Sequence, residues 1–174
     1  MNKITPKFWI FTLMIFAAAF VRLLPHPPNF APIAAMALFG GAYFSKKWAA
    51  FIVPIAAMFV TDLIIGFHSA MWAVYISFTL IVIIGMLMIQ QKNIGNIFLA
   101  SVASSVVFFI VTNFGSWIMD PIYEKSGSGL LACYTAAIPF FHQTLLSDLF
   151  FVAILFGAYH LIKTKYPALA ESKV

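Results

Sequence analysis

The sequence predicts an all-α integral membrane protein, a bundle of six transmembrane helices that forms a single membrane domain over residues 1–174. Composition is the first reason: 63% of the residues are hydrophobic and 9% are charged, whereas roughly a quarter of the residues in a soluble domain are charged. The second reason is patterning, because the apolar residues form long runs separated by short polar breaks. These breaks are too short to hold a second, soluble domain.

Six apolar runs are predicted to cross the bilayer, at about residues 8–24, 31–44, 48–66, 71–88, 94–117 and 143–162. The first run continues through Phe20 and Val21, past three alanines that resemble a signal-peptide cleavage site, so it is expected to stay as a helix. Between the first two runs, Pro25, Pro27 and Pro28 exclude helix, because proline lacks an N–H and restricts the residue before it.

Two segments depart from the ordinary length of a span. The second run has 14 residues and would rise about 21 Å, less than the roughly 30 Å hydrocarbon core. It is therefore predicted either to be sunk between its neighbours or to be extended by irregular backbone buried in protein. Residues 130–141 are apolar but contain Pro139, and they are predicted to form a short re-entrant or interfacial helix before the sixth span.

The distribution of basic residues predicts the orientation of the bundle. Six crossings place Arg22 and Lys125 on one side and eight lysines on the side of the two termini. The eight are Lys3, Lys7, Lys46, Lys47, Lys92, Lys163, Lys165 and Lys173. Since cytoplasmic loops carry the excess of Lys and Arg, both termini are expected in the cytoplasm of a multi-pass membrane protein. The lysines are spread over termini and loops, so nucleic acid is not an expected partner.

Several classes of function lack their motifs. The single cysteine, Cys133, excludes an internal disulfide and a Cys-rich metal cluster. His26, His68 and His142 have no metal-ligand spacing, so neither a metal nor a cofactor is expected. The chain has no G-x-S-x-G, no H-E-x-x-H and no phosphate loop. It is therefore not expected to be an enzyme, and it cannot itself hydrolyse ATP to drive transport.

Polar and aromatic residues predicted in the outer half suggest a small-molecule site. An ionisable residue costs about 2.5–3.5 kcal/mol at the centre of a span, so it usually faces the interior and has a partner. Arg22, Asp62 and Asp148 lie near the outer ends of three different spans and are expected to meet, as a structural ion cluster, as part of an outward-facing pocket, or as both. The predicted substrate-binding residues are Arg22, His26, Asn29, Asp62, His68, Trp72, Asn113, Trp117, His142 and Asp148.

The fifth span adds a candidate wall to this pocket. Asn113 and Trp117 share a helix face at i, i+4, and Ser101, Ser105, Thr112 and Ser116 extend it. Aromatic walls with a few placed polar groups are typical of ligand pockets. The alternatives stay open here, because tryptophans also form interfacial belts and serine stripes also pack helices together.

A family resemblance rests on three stretches: Arg22-Leu-Leu-Pro-His-Pro-Pro-Asn-Phe-Ala-Pro, Phe39-Gly-Gly-Ala-Tyr-Phe, and Thr61-Asp-Leu-Ile-Ile-Gly, with Pro54 between the last two. They resemble an uncharacterised family of small bacterial membrane proteins and, beyond it, the substrate-binding (S) components of energy-coupling-factor (ECF) vitamin transporters. The resemblance implies a six-helix bundle that binds a vitamin-sized molecule from outside, under loops at about 25–30, 66–70 and 119–129.

The same resemblance implies a transporter coupling subunit with ATPases as a partner. S components dock on it through small residues spaced by four on the first helix. Here the first span has only consecutive alanines, and the nearest substitutes are Ala31 with Ala35 and Ala37 with Gly41 on the second helix. Packing within the fold would explain those pairs equally well.

Two functions are carried forward from the sequence. The preferred one is the binding and uptake of a small, flat or heteroaromatic, vitamin-like nutrient from the outer side. The alternative is a structural or accessory subunit of a larger membrane protein complex. The expected partners are accordingly a small-molecule substrate, the lipid bilayer, and either the coupling subunit or another membrane complex.

Overall fold

A computed structural model describes residues 5–167 of the chain. Lys3 and Lys173, two of the lysines that predict the orientation, lie outside the described residues. The described part is all-helical, with six helices connected by turns and loops. They are α1 (Pro6–Val21), α2 (Ile33–Tyr43), α3 (Lys47–Ile65), α4 (Met71–Met88), α5 (Ile94–Met119) and α6 (Gly127–Lys165).

Four of the six helices, α3 to α6, are long and apolar enough to cross a membrane. Helices α1 and α2 are apolar but shorter. The outward-facing side chains of the long helices include large hydrophobic ones, such as Ile52, Leu63 and Phe98, each about half exposed. Contiguous apolar surface of this kind is a property of a protein that faces lipid. The predicted all-helical membrane class is therefore confirmed, while the number of crossings and the side of the termini stay predictions.

The prediction of a separate re-entrant helix at residues 130–141 is wrong. Those residues and the sixth span form one continuous helix, α6, of 39 residues with Pro139 inside it. Proline removes one backbone hydrogen bond and crowds the carbonyl one turn earlier. Helices in membranes tolerate it, because their surroundings satisfy the freed group and the rest of the helix supplies the remaining bonds. At 1.5 Å per residue, α6 has a contour length of about 58 Å.

The short helix α2 occupies the centre of the bundle and contacts all five other helices. Every residue from 34 to 41 is buried, so the prediction that this helix is sunk between its neighbours is confirmed. Two glycines allow its close approach to α4. A Cβ on Gly85 would lie 2.6 Å from the carbonyl oxygen of Leu38, and one on Gly41 would overlap the carbonyl oxygen of Val82.

The bundle has two faces, which we name by their contents. The terminal face holds Thr5, residues 44–46 and 89–93, and the end of α6; the distal face holds residues 22–32, 66–70 and 120–126. Near the terminal face, an aromatic cluster fastens α2 to α1 and α6, with ring centroids 4.6–6.1 Å apart. Its members are Phe11, Phe39, Tyr43, Phe156 and Tyr159.

Helix α2 does not extend as far toward the distal face as its neighbour α6 does. The hydroxyl of Ser147 donates a hydrogen bond of 3.1 Å to the backbone oxygen of Ala31, just before α2 begins. The 20 residues of α6 that precede Ser147, from 127 to 146, therefore extend past the start of α2. Because α2 does not fill this part of the bundle, room is left between α5, α6 and the start of α4.

Candidate functional site

Arg22 is held at the distal face in a network that joins α1, α3 and α4. Its Nη2 atom lies 2.7 Å from Oδ1 of Asp62, and its Nη1 atom lies 2.5 Å from Oγ1 of Thr61 and 3.2 Å from Sδ of Met58. The second oxygen of Asp62 accepts a hydrogen bond of 2.8 Å from the hydroxyl of Tyr75. Both charges are thus paired and hydrogen-bonded, which is what burial of an ion pair requires.

The predicted cluster of Arg22, Asp62 and Asp148 does not form. Among residues 5–167, the Arg22–Asp62 pair is the one salt bridge between side chains. Asp148 lies on α6, and its Oδ2 atom accepts a hydrogen bond of 2.6 Å from the hydroxyl of Ser105 on α5. The sequence predicted the depth of the three residues along their helices but not the direction in which each side chain faces. That direction separates Asp148 from the pair of Arg22 and Asp62.

A cavity of about 390 Å³ opens at the distal face, between α4, α5 and α6. It is lined by the loop before α2, the loop between α3 and α4, the start of α4, the second half of α5 and the first half of α6. Its polar lining consists of Asn29, His68, Thr112, Asn113, Ser116 and Thr144. Its apolar lining consists of Ile33, Ala70, Val74, Phe108, Phe109, Ala137, Phe140 and Phe141.

Much of the polar lining has hydrogen-bonding capacity to spare. The Nδ2 of Asn113 donates to the backbone oxygen of Phe109 at 2.7 Å, while the side-chain oxygen of Asn113 has no partner among the described residues. Among residues 5–167, the side chains of His68, Ser116 and Thr144 make no hydrogen bond. Groups of this kind at the wall of a cavity are available to a ligand or to water.

Asn29 reaches the cavity from a strained position. Its backbone has φ 60°, in the left-handed region, where asparagine is found several-fold more often than most residues. The turn around it is closed by a hydrogen bond of 3.1 Å from the N–H of Phe30 to the oxygen of Pro27. This turn ends the proline-rich stretch and places the side chain of Asn29 at the cavity just before α2.

A smaller cavity, of about 60 Å³, adjoins the larger one and is lined by Asp148. The two cavities share Asn29, Ile33, Phe108 and Thr144. The start of α2 also lines the smaller cavity and has no side-chain cap. Free N–H groups at a helix N-terminus carry partial positive charge, which favours a nearby carboxylate. Within the described part of the chain, a buried carboxyl group without a basic partner thus lies next to a larger cavity lined with polar groups.

The other predicted site residues lie elsewhere. His26 is exposed, with Nδ1 3.0 Å from the backbone oxygen of Pro27. The indole N–H of Trp117 donates at 2.8 Å to the backbone oxygen of Glu124, so it holds the α5–α6 loop. Trp72 and His142 are exposed and line neither cavity. Of the ten predicted residues, Asn29, His68 and Asn113 line the larger cavity and Asp148 lines the smaller one.

Sequence reasoning missed the aromatic part of the lining and Thr144. Two Phe-Phe pairs, at 108–109 on α5 and at 140–141 on α6, line the cavity, and the rings of Phe109 and Phe141 pack edge to face with centroids 5.0 Å apart. In the sequence they are indistinguishable from lipid-facing phenylalanines. The described residues hold no group of three or more His, Cys, Asp or Glu side chains that could bind a metal ion.

Comparison with known proteins gives one result. A model described as a family of unknown function, DUF6580, matches residues 2–169. No curated protein matches the chain, and no solved structure does.

Proposed function

The chain belongs to the family of unknown function DUF6580, and we propose that it is a membrane transport protein that captures a small, vitamin-like organic nutrient in the distal cavity. The observation that carries this proposal is the cavity itself. Its volume of about 390 Å³ falls within the roughly 300–1,000 Å³ of small-molecule sites. Its combination of phenylalanine rings with unpaired amide, imidazole and hydroxyl groups matches the usual lining of such sites.

We further propose that the distal face is the outer face, so that the nutrient enters from outside a bacterial inner membrane. Within the described residues, Lys46, Lys47 and Lys92 lie in or next to loops of the terminal face, whereas Lys125 is in a distal loop. This asymmetry favours six crossings with cytoplasmic termini. In a Cys133→Ser background, cysteines placed at Ser69 and Ser128 should then be labelled by an impermeant reagent from outside. Labelling from the cytoplasm alone would reverse the orientation.

The chemistry of the lining narrows the class of nutrient. Among residues 5–167, no Lys, Arg, Asp or Glu lines the larger cavity, so the wall supplies no cationic partner for an anion. Phe109 and Phe141 offer faces and edges to a flat ring. Asn113, Thr144 and Ser116 offer hydrogen-bond donors and acceptors to the polar atoms at the edge of such a ring. A neutral or weakly cationic heteroaromatic molecule fits these groups best, with an N–H or protonated nitrogen directed at Asp148.

In the S-component-like form of this proposal, a coupling subunit docks on the chain. It would need a surface other than the small-residue pairs of α2 that the sequence suggested. Ala35, Ala37 and Gly41 are fully buried inside the bundle, where they pack against the other helices. If no partner docks, the chain would release its nutrient by facilitated diffusion. Co-purification of the chain with ATPase subunits would favour the coupled form.

Ligand-dependent stabilisation tests the site. The purified chain would be screened by thermal unfolding against vitamins and their heteroaromatic precursors. A true ligand at a hundred times its Kd should stabilise the wild type by about 2.7 kcal/mol. Asn113→Ala should weaken that ligand by about tenfold, because it removes a group that orients the ring. Asn96→Ala is the matched control, since Asn96 is on the same helix but at the terminal face.

The outcomes separate the two functions carried forward from the sequence. Loss of binding in Asn113→Ala with normal binding in Asn96→Ala supports the distal site. Equal binding by both variants means that the ligand sits elsewhere. If no compound stabilises the wild type and the chain co-purifies with other membrane proteins, the accessory-subunit function replaces uptake.

A further inference from the structure

Three lysines from distant parts of the chain meet at the terminal face. Lys7 lies in the first turn of α1, Lys92 in the loop between α4 and α5, and Lys163 in the last turn of α6. Together they line a cavity of about 290 Å³, whose remaining lining is Tyr43, Tyr159 and His160. The aromatic cluster joins α1, α2 and α6 and so holds Lys7 near Lys163, while Lys92 lies over the ring of Tyr43, a member of the same cluster.

The positive charge of this cavity is not neutralised within the described chain. Residues 5–167 contain four carboxylates, Asp62, Asp120, Glu124 and Asp148, and none of them lines it. Two are in the α5–α6 loop, one is near the distal end of α3, and one is in the middle of α6. The lysines therefore repel one another, and partial burial together with Lys7 and Lys163 lowers the pKa of Lys92.

The cavity also offers neutral hydrogen-bond donors and a partial hold on Lys92. The Nζ atom of Lys92 lies 5.4 Å from the centroid of the Tyr43 ring, within the range of a cation–π contact. The hydroxyls of Tyr43 and Tyr159 make no hydrogen bond within residues 5–167. Ammonium and phenol groups that point into one cavity are suited to the oxygens of a phosphate.

Exposed aromatic residues next to the cavity indicate its depth in a bilayer. Trp9 on α1 and Trp48 on α3 are more than half exposed, and both pack against Phe8, with ring centroids 5.7 and 6.0 Å from it. Phe8 directly follows Lys7. Exposed tryptophans at a helix end mark the interface between hydrocarbon and headgroups. Basic pockets between helices at this level recognise anionic headgroups.

We propose that this terminal cavity binds an anionic phosphate group, which would come either from the headgroup of an anionic lipid or from a soluble phosphate. The bound phosphate would accept hydrogen bonds from Lys7, Lys92 and Lys163 and would relieve their mutual repulsion. This site is separate from the distal cavity, and its existence does not depend on the proposed transport function.

The experiment compares two phosphate sources and two pairs of lysines. The full chain would be placed in nanodiscs of phosphatidylcholine, with or without phosphatidylglycerol, and retained lipid would be measured by native mass spectrometry. In parallel, its unfolding temperature would be measured in detergent with inorganic phosphate or with chloride at the same ionic strength. The test variant is Lys92→Gln with Lys163→Gln. The control is Lys47→Gln with Lys165→Gln, which removes the same charge near the same face but outside the cavity.

The expected result is that the test variant loses about tenfold or more in affinity for the phosphate source, while the control keeps most of it. Without any phosphate, the test variant should unfold at a temperature no lower than that of the wild type, because the repulsion is removed; this shows that it is folded. Specific retention of phosphatidylglycerol would assign the site to a lipid headgroup, and stabilisation by inorganic phosphate alone would assign it to a soluble anion. Equal behaviour of the wild type, test variant and control with both sources would overturn the proposal.

Discussion

Two aspartates at similar burial play opposite parts in this bundle. Asp62 is 5% exposed and Asp148 is 3% exposed. Asp62 is paired with Arg22 and bonded to Tyr75, whereas within residues 5–167 Asp148 is bonded to Ser105 alone. Asp62 ties three helices together, and Asp148 borders a cavity. Burial alone therefore does not distinguish a structural carboxylate from one that is available to a ligand; its partners do.

The difference also follows from where the helices come close. The pair of Arg22 and Asp62 lies where the ends of α1 and α3 meet the start of α4, and Thr61 and Tyr75 complete its hydrogen bonds. Asp148 lies where the short α2 begins. The first residues of α2 fill the space on one side of its carboxyl group, and the smaller cavity lies on the other side. A shortened helix thus creates both the cavity and the unpaired group beneath it.

The largest effect expected from this comparison is on stability. Asp62→Asn leaves the guanidinium of Arg22 buried without its counter-charge, which should lower the free energy of unfolding by about 3–5 kcal/mol. Asp148→Asn replaces a buried carboxyl group that has no basic partner among residues 5–167, and the amide oxygen can still accept from Ser105, so its effect should be about 1 kcal/mol or less. Unfolding of both purified variants in mixed detergent measures this difference. An Asp148→Asn loss as large as that of Asp62→Asn would contradict the comparison.

A smaller effect is expected when both members of the ion pair are replaced. Exchange of a buried pair for apolar side chains of similar volume is often close to neutral. Arg22→Met combined with Asp62→Leu should therefore regain most of the stability lost in either single variant, with a coupling energy of about 2–3 kcal/mol. The double-mutant cycle requires the same unfolding measurement on four proteins. Additive losses would show that the two charges do not act as a pair.

The smallest effect concerns the hydroxyl partners of the two aspartates. Tyr75→Phe removes a hydrogen bond of 2.8 Å to Asp62 and should cost about 1.5–3 kcal/mol, as expected for a bond to a charged group. The bond from Ser105 to Asp148 is 2.6 Å long. Ser105→Ala should cost about 1 kcal/mol, as expected for an ordinary hydrogen bond, and a similar amount in the Asp148→Asn background, where the amide oxygen still accepts. A much larger cost in the wild type than in that background would show that Asp148 carries a charge that the bond stabilises.

Much of the helical frame was predictable from the sequence. The spans predicted at residues 48–66 and 71–88 agree with α3 (Lys47–Ile65) and α4 (Met71–Met88), because apolar runs bounded by polar or glycine residues define a membrane helix on their own. The helix α6 was divided in two because proline rules from soluble helices were applied to Pro139. In a long apolar helix one missing hydrogen bond did not end the helix.

The candidate site was less predictable, for a geometric reason. Depth along a span follows from residue number, and on that basis Asn29, His68, Asn113 and Asp148 were placed in one layer. The direction in which a side chain faces depends on helix rotation, which a uniformly apolar helix does not reveal because it has no polar face. That is why Trp117 was assigned to the cavity although it bonds to the loop at Glu124, and why Phe109 and Phe141 were not assigned to it.

The position of Asp148 also has an electrical meaning. It is residue 22 of the 39 in α6, near the middle of that helix, at the level where the short α2 begins. If α6 is centred in an energised membrane, a ligand that reaches this carboxyl group from the distal face crosses about half of the transmembrane field. One elementary charge falling through the whole field is worth about 2.3 kcal/mol per 100 mV, so half of it is about 1 kcal/mol. A cationic nutrient would therefore be drawn inward or expelled by the sign of the membrane potential, whereas a neutral one would be held equally well in either case.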